Sequence, residues 1–210
     1  MIVRRKRLIY YVLGGIFLAF VLLSILVTYP TLPIDHEFSK EVQENQHPLL
    51  DILMRAVSWL GYRPQSIVLP LVVSLIFLLF KMKREALFVS LTLLSGVLSR
   101  FLKILIDRPR PTEDLVRIVD KAKYQSFPSG HVLLYVVFFG FLIVLMSRLK
   151  NINFYLRVTV ALISAFFIIA VPFSRIYLGA HWFTDVLGSF LLGTLCLFPL
   201  SYFYLKKSKV

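Results

Sequence analysis

Six apolar stretches of bilayer-spanning length constrain what this chain can fold into more than anything else in it. They lie near Leu8–Thr28, Ser66–Phe80, Ala86–Ile106, Val132–Ser147, Phe154–Phe173 and Val186–Tyr204. In hydrocarbon a backbone must satisfy its polar groups internally, so each stretch is expected as a helix. The second and fourth are short for a span, about 15–16 residues, and are expected to extend into their flanks. At 58% hydrophobic residues and a mean hydropathy of +0.79, the chain is too apolar for an ordinary soluble domain. Its 210 residues suit a single integral-membrane domain, 1–210.

The basic residues fix an expected orientation. Arg4, Arg5, Lys6 and Arg7 precede the first stretch. Lys81, Lys83 and Arg84 join the second to the third, Arg148, Lys150 and Arg157 the fourth to the fifth, and Lys206, Lys207 and Lys209 close the chain. With six spans these groups share one side, the cytoplasmic side by the positive-inside rule, with both termini there. Ten of the eleven acidic residues fall on the other side, Glu85 being the exception. The net charge of +13 is thus a topology signal rather than a nucleic-acid-binding face. The first stretch is long for a signal peptide and no small-x-small cleavage site follows it, so it is expected as a retained span. Cys196, the single cysteine, allows no intrachain disulfide.

The segment between the first two spans, from Thr31 to Gln65, carries Leu49, Leu50, Leu53, Val57 and Leu60 near helical spacing, with Trp59 and Tyr62 nearby. That pattern fits an extracytoplasmic amphipathic helix in the membrane interface, and equally a helix packed over the bundle.

Charged groups near a bilayer are costly and so are functional candidates. Three clusters stand out: Lys103 with Arg110-Pro111; Pro128-Ser129-Gly130-His131; and Ser174-Arg175 with His181 and Asp185. All three fall at the outer ends of spans, so segments distant in sequence converge at one level. Lys103, Arg110 and Arg175 can together hold a phosphoryl group, although each alone also reads as a headgroup anchor. Lys103 and Arg110 share a face only if the helix continues, which Pro109 and Pro111 disfavour, and Asp107 is placed to pair with Lys103. Gly130 allows a turn whose N–H groups point at an anion, Ser129 adds a donor, and His131 can move a proton. His181 and Asp185, at i and i+4, are expected on one helix face, the carboxylate orienting the imidazole; Asp185 also suits a helix N-terminus. Two histidines and an aspartate can ligate a metal, but the surrounding cations would repel a divalent ion, so no metal or other cofactor is expected.

In order and spacing these clusters resemble the signature motifs of the type 2 phosphatidic acid phosphatase (PAP2) superfamily, which shares its site with vanadium-dependent haloperoxidases and bacterial acid phosphatases. The motifs occupy Lys103–Asp185, and Tyr177-Leu178-Gly179-Ala180-His181-Trp182 is similar to small bacterial members. Val132 departs from the small residue common after PSGH. The resemblance implies an all-α bundle of six transmembrane helices with a PAP2/haloperoxidase-type core. It implies a metal-independent phosphatase acting on a lipid phosphate at the outer face of the plasma membrane. His181 would attack phosphorus, Asp185 orient it and His131 protonate the leaving oxygen. Lys103, Arg110, Arg175, Ser129 and Gly130 would bind the phosphoryl oxygens, and Pro111, Pro128 and Ser174 would shape the site. Phosphatidylglycerophosphate, undecaprenyl pyrophosphate and phosphatidic acid are candidate substrates. The contrasting class is a phospholipid-binding or transport protein of the same fold, against which the presence of both histidines argues.

Overall fold

The computed structural model describes residues 2–29 and 32–206, with side chains from residue 7 onward. The side chains of Arg4, Arg5, Lys6, Lys207 and Lys209 lie outside the described residues. Those residues form α1 (Ile2–Leu26), α2 (Pro33–Val42), α3 (Pro48–Ser58), a 3-10 turn (Trp59–Gly61), α4 (Gln65–Leu79), α5 (Lys83–Leu91), α6 (Leu94–Ile106), α7 (Gly130–Arg148), α8 (Phe154–Tyr177) and α9 (Phe183–Leu205), with no strand among them. The expected all-helical architecture is the one observed.

Five segments are long and apolar enough to cross a membrane: Arg7–Leu26, Lys83–Ile106, Gly130–Arg148, Phe154–Tyr177 and Phe183–Leu205. A sixth requires counting Pro48–Gly61 with Gln65–Leu79 as one span bent by 57°. The reason is length. α4 has 15 residues, about 22 Å at 1.5 Å per residue, against a hydrocarbon core of about 30 Å. Its extension runs backward into α3, but Pro64 at the α4 N-cap breaks the helix between them. The third span is also interrupted, at Thr92 and Leu93. There the Thr92 hydroxyl donates to the Val89 carbonyl (2.6 Å) and the Ser95 hydroxyl to that of Thr92 (2.7 Å), bonds that bend helices.

α7 is apolar on every side, and Val132 through Leu142 are all buried. It forms the centre of the bundle, packed chiefly against α8 and α9. Gly193 permits the close approach of α9: a Cβ there would lie 2.6 Å from Val136 Cγ1. Phe139 stacks on Phe167 at 5.1 Å, and Tyr135 meets the same ring edge-on at 5.8 Å. The opposite side of α8 exposes Leu162, Phe166 and Ile169, as a lipid-facing surface would.

At the end of the bundle bearing the basic connectors, two arginines cap helices. Arg84 donates to the carbonyls of Phe203 (3.2 Å), Tyr204 (2.8 Å) and Lys206 (2.7 Å) at the close of α9. Arg157 donates to Met146 near the end of α7 (2.6 Å).

The segment between the first two spans holds two helices rather than one. Each begins with a proline at its first turn, Pro33 and Pro48, where the missing N–H costs nothing. α3 and the 3-10 turn after it pack over the bundle on one side and leave an apolar face exposed on the other. Val57 and Leu60 pack against the main core, whereas Leu49, Leu53 and Trp59 are exposed.

Candidate active site

α6 stops where the sequence turns to Arg108-Pro109-Arg110-Pro111. Asp107 takes the left-handed conformation (φ 49°), one that a short polar residue tolerates, and closes the helix onto the Lys103 carbonyl. An extended stretch follows, because residues before proline avoid helix. In extended chain i and i+2 face the same way. Arg108 and Arg110 therefore both turn toward the loop before α9. Arg110 Nη1 lies 3.3 Å from His181 Nε2, and its guanidinium also donates to the carbonyls of Ala180, Tyr124 and Gln125. Lys103, buried in the last turn of α6, donates to the carbonyls of Gln125 (2.5 Å) and Ser126 (3.1 Å). It does not pair with Asp107, which accepts from Gln125 Nε2 at 3.0 Å instead.

His181 and Asp185 meet, but not along a helix face as their spacing suggests. α9 starts at Phe183, so His181 sits in the turn before it. Gly179 makes that turn possible: its φ is +67°, and a Cβ would collide with the Arg117 carbonyl. Asp185, in the first turn of α9, reaches back to accept from the Trp182 N–H (2.9 Å). The same oxygen, Oδ2, lies 3.4 Å from His181 Nδ1 and accepts from the Ser126 hydroxyl. Oδ1 pairs with Arg108 Nη1 at 2.7 Å. The 3.4 Å contact has ion-pair distance without hydrogen-bond alignment, since Nδ1 meets no hydrogen-bonding partner among the described residues.

Arg108 is itself clamped from the other side. Its Nη2 lies 2.6 Å from Asp35 Oδ2. Asp35, fully buried in the first turn of α2, also accepts the Thr184 N–H (2.8 Å) and hydroxyl (2.9 Å). A carboxylate from α2 thus caps the N-terminus of α9 and holds the arginine that holds Asp185.

Ser129 is the N-cap of α7, with Gly130 first in the helix. The Ser129 hydroxyl and His131 Nε2 are buried and have no partner among the described residues. They lie at a helix start, whose N–H groups and dipole favour a negative charge. The His131 ring meets Tyr62 edge-on, centroids 4.8 Å apart, and backs onto Gly61. Ser174 anchors α8 to α3, its hydroxyl 2.6 Å from both the Ser58 hydroxyl and the Met54 carbonyl. The next residue, Arg175, lies buried, with Ser58 Oγ and the Tyr62 hydroxyl each 3.1 Å from Nη1. Its Nη2 is 3.0 Å from Asp120 Oδ2.

Burial, and after it the charges of Arg110, Lys103 and Arg175, hold the His181 imidazole well below its ordinary pKa. It is therefore neutral at pH 7, with Nε2 facing Arg110 Nη1 and Nδ1 facing Asp185. Burial, then Arg175, pushes Arg110 down to about 10, which still leaves it charged at neutral pH. Two surface clefts approach this region, of about 600 and 460 Å³. Arg55, Trp59 and Tyr62 line the first, Arg110 and Ala180 the second, and Asp120 lines both.

The structure thus brings the three sequence clusters together, with Pro128 following a cis bond from Phe127 and Pro111 buried. Sequence reasoning missed Asp35, Arg108, Asp120 and Ser126, and took Tyr62 only for an interfacial aromatic. Arg108 carried a usable signal, a second arginine in the same extended run. Asp35 and Asp120 are two among many outer carboxylates, and nothing local marks them.

A sequence profile of the PAP2 superfamily matches residues 84–209, more than half of the chain. Phosphatidylglycerophosphatase B of Bacillus subtilis (strain 168) is 31% identical over 192 residues, spanning 88% of this chain and 90% of that protein. The crystal structure of the transmembrane PAP2-type phosphatidylglycerolphosphate phosphatase from Bacillus subtilis superposes with a TM-score of 0.79 at 26% identity, over 94% of this chain and 98% of that one. Aquifex aeolicus LpxE shares the fold, with a TM-score of 0.62 at 24% identity over 85% and 99% of the two chains. With the motifs converging on one site and both profile and relative covering most of that region, the chain belongs to the PAP2 superfamily.

Proposed function

We propose that the chain is a single integral-membrane domain that hydrolyses a lipid phosphomonoester, phosphatidylglycerophosphate foremost, through a phosphohistidine. The observation that carries this reading is the buried His181, with Nδ1 3.4 Å from Asp185 and Nε2 3.3 Å from Arg110. Nε2 attacks phosphorus while the P–O bond to the lipid alcohol breaks, and His131 gives its proton to the departing oxygen. Water then attacks phosphorus, His131 takes its proton as the N–P bond breaks back onto Nε2, and orthophosphate leaves. Lys103, Arg110, Arg175, Ser129 and the Gly130 N–H stabilise charge on the equatorial oxygens, the main catalytic contribution in phosphoryl transfer. The choice of lipid rests on the likeness to the Bacillus subtilis enzyme; the motifs grip only the phosphate and leave undecaprenyl pyrophosphate and phosphatidic acid as comparison substrates.

Metal independence is part of the proposal. No three His, Cys, Asp or Glu side chains among the described residues are grouped to hold a metal. Asp35 and Asp185 are committed to Arg108, which supports cationic rather than metal-assisted stabilisation. The purified protein in detergent is expected to release phosphate from phosphatidylglycerophosphate at an unchanged rate in EDTA. Loss with EDTA and recovery with Mg²⁺ or Zn²⁺ would overturn the metal-free mechanism, and no release from any of the three lipids would overturn the activity.

The site is placed on the extracytoplasmic side because the basic connectors lie at the other end of the bundle. Right-side-out vesicles should therefore hydrolyse a short-chain soluble substrate without permeabilisation. A requirement for permeabilisation would reverse the orientation.

A further inference from the structure

Asp120 occupies the seat that a phosphoryl oxygen would take on Arg175. Its Oδ2 lies 3.0 Å from Arg175 Nη2 and accepts the Tyr62 hydroxyl at 2.6 Å, while that same hydroxyl is 3.1 Å from Arg175 Nη1. The two partners differ in freedom. The Arg175 side chain is 1% exposed, whereas that of Asp120 is 22% exposed. The backbone around Asp120 is pinned: the N–H groups of Val119 and Asp120 both donate to the Leu178 carbonyl (3.0 and 3.1 Å), and Arg55 holds the Val119 carbonyl at 2.9 Å. Release of Arg175 thus needs only rotation of the Asp120 side chain toward solvent, with no opening of the loop. Asp120 lies on the wall of both clefts, so a phosphate arriving by either passes its carboxylate.

Charge points the same way. The exchange replaces the single negative charge of Asp120 on Arg175 with the two of a phosphomonoester dianion, whereas an ordinary phosphodiester headgroup brings only one.

We infer that Asp120 is a specificity-determining latch, held by Tyr62: its carboxylate stands in for the phosphoryl group on Arg175, and substrate phosphate enters by exchanging with it. The inference rests on the phosphatase reading above. It places Asp120 as a positioning residue acting through Arg175. A latch that favours the closed form roughly tenfold lowers apparent anion affinity by the same factor.

The test is inhibition by inorganic phosphate, together with the shift in melting temperature that phosphate causes, which needs no turnover. In Asp120→Asn the inhibition constant for phosphate and the KM should both fall, the former roughly tenfold, and phosphate should stabilise the variant more than the wild type. A residue with a merely structural role would shift both constants upward. Tyr62→Phe keeps the carboxylate but frees it, and a smaller tightening in the same direction is expected; it decides the matter if Asp120→Asn does not fold. Unchanged or weaker phosphate binding in both variants overturns the latch while leaving wild-type turnover intact. Absent wild-type turnover overturns the phosphatase reading whatever the binding results.

Discussion

Replacing His181 with alanine should lower phosphate release by at least about a thousandfold, the scale seen when a covalent nucleophile is removed. The variant should still fold, because Asp185 keeps Arg108, Ser126 and the Trp182 N–H as partners. Phosphate release at the wild-type rate from a folded His181→Ala protein would dispose of the proposed mechanism. The same residue predicts a pH effect whose sign follows from its surroundings. Its pKa is depressed by burial and by three cations, so the neutral, nucleophilic form persists as pH falls. The acid limb of kcat/KM due to this group should therefore lie well below the ordinary imidazole value of about 6.5. A tenfold drop in rate for each pH unit below 7, traced to His181 by trapping less phosphoenzyme, would contradict it.

Asp35→Ala should destabilise the fold strongly although Asp35 does not contact His181. It leaves Arg108 buried with one carboxylate instead of two and strips the Thr184 N–H and hydroxyl of their acceptor. Breaking a buried ion pair from one side costs about 3–5 kcal/mol. For a chain of this size that corresponds to roughly 10 °C in melting temperature. Removing both partners, as in Asp35→Leu with Arg108→Met, should cost less than the sum of the single changes, because no uncompensated charge remains. Thermal unfolding in detergent measures both. An Asp35→Ala melting temperature within a degree or two of wild type would mean that α2 is not a structural clamp.

What was legible in the sequence follows a physical division. Spans are legible because a bilayer demands long uninterrupted apolar runs, and the α8 and α9 segments were located within a few residues. The second span was less so, since its length was completed across Pro64 by a helix pointing elsewhere. The three clusters were legible because charged groups and histidines at the ends of long apolar runs stand out, and the structure brings these together. The supporting groups were not. Asp35 and Asp120 acquire meaning only when a carboxylate from one segment meets a guanidinium from another, and Arg108, though visible beside Arg110, had no partner that sequence could name. The spacing of His181 and Asp185 implied contact, but it was realised across a helix cap and not along a helix. That difference depends on Gly179, whose backbone conformation no pattern of apolar residues encodes.

Arg84 and Arg157 serve twice, at different times in the protein's life. During membrane insertion a basic residue near a span end biases which way the segment threads. Once the bundle is assembled, the same two guanidiniums are taken up by terminal carbonyls of α9 and α7. Orientation and end-fraying are therefore coupled through the same side chains. Charge-neutralising either arginine to invert the topology would also loosen a helix end, so a mixed-orientation population and a less stable one would arise together. Neutralising Lys81 or Lys150 instead, which cap no carbonyl among the described residues, would separate the two effects.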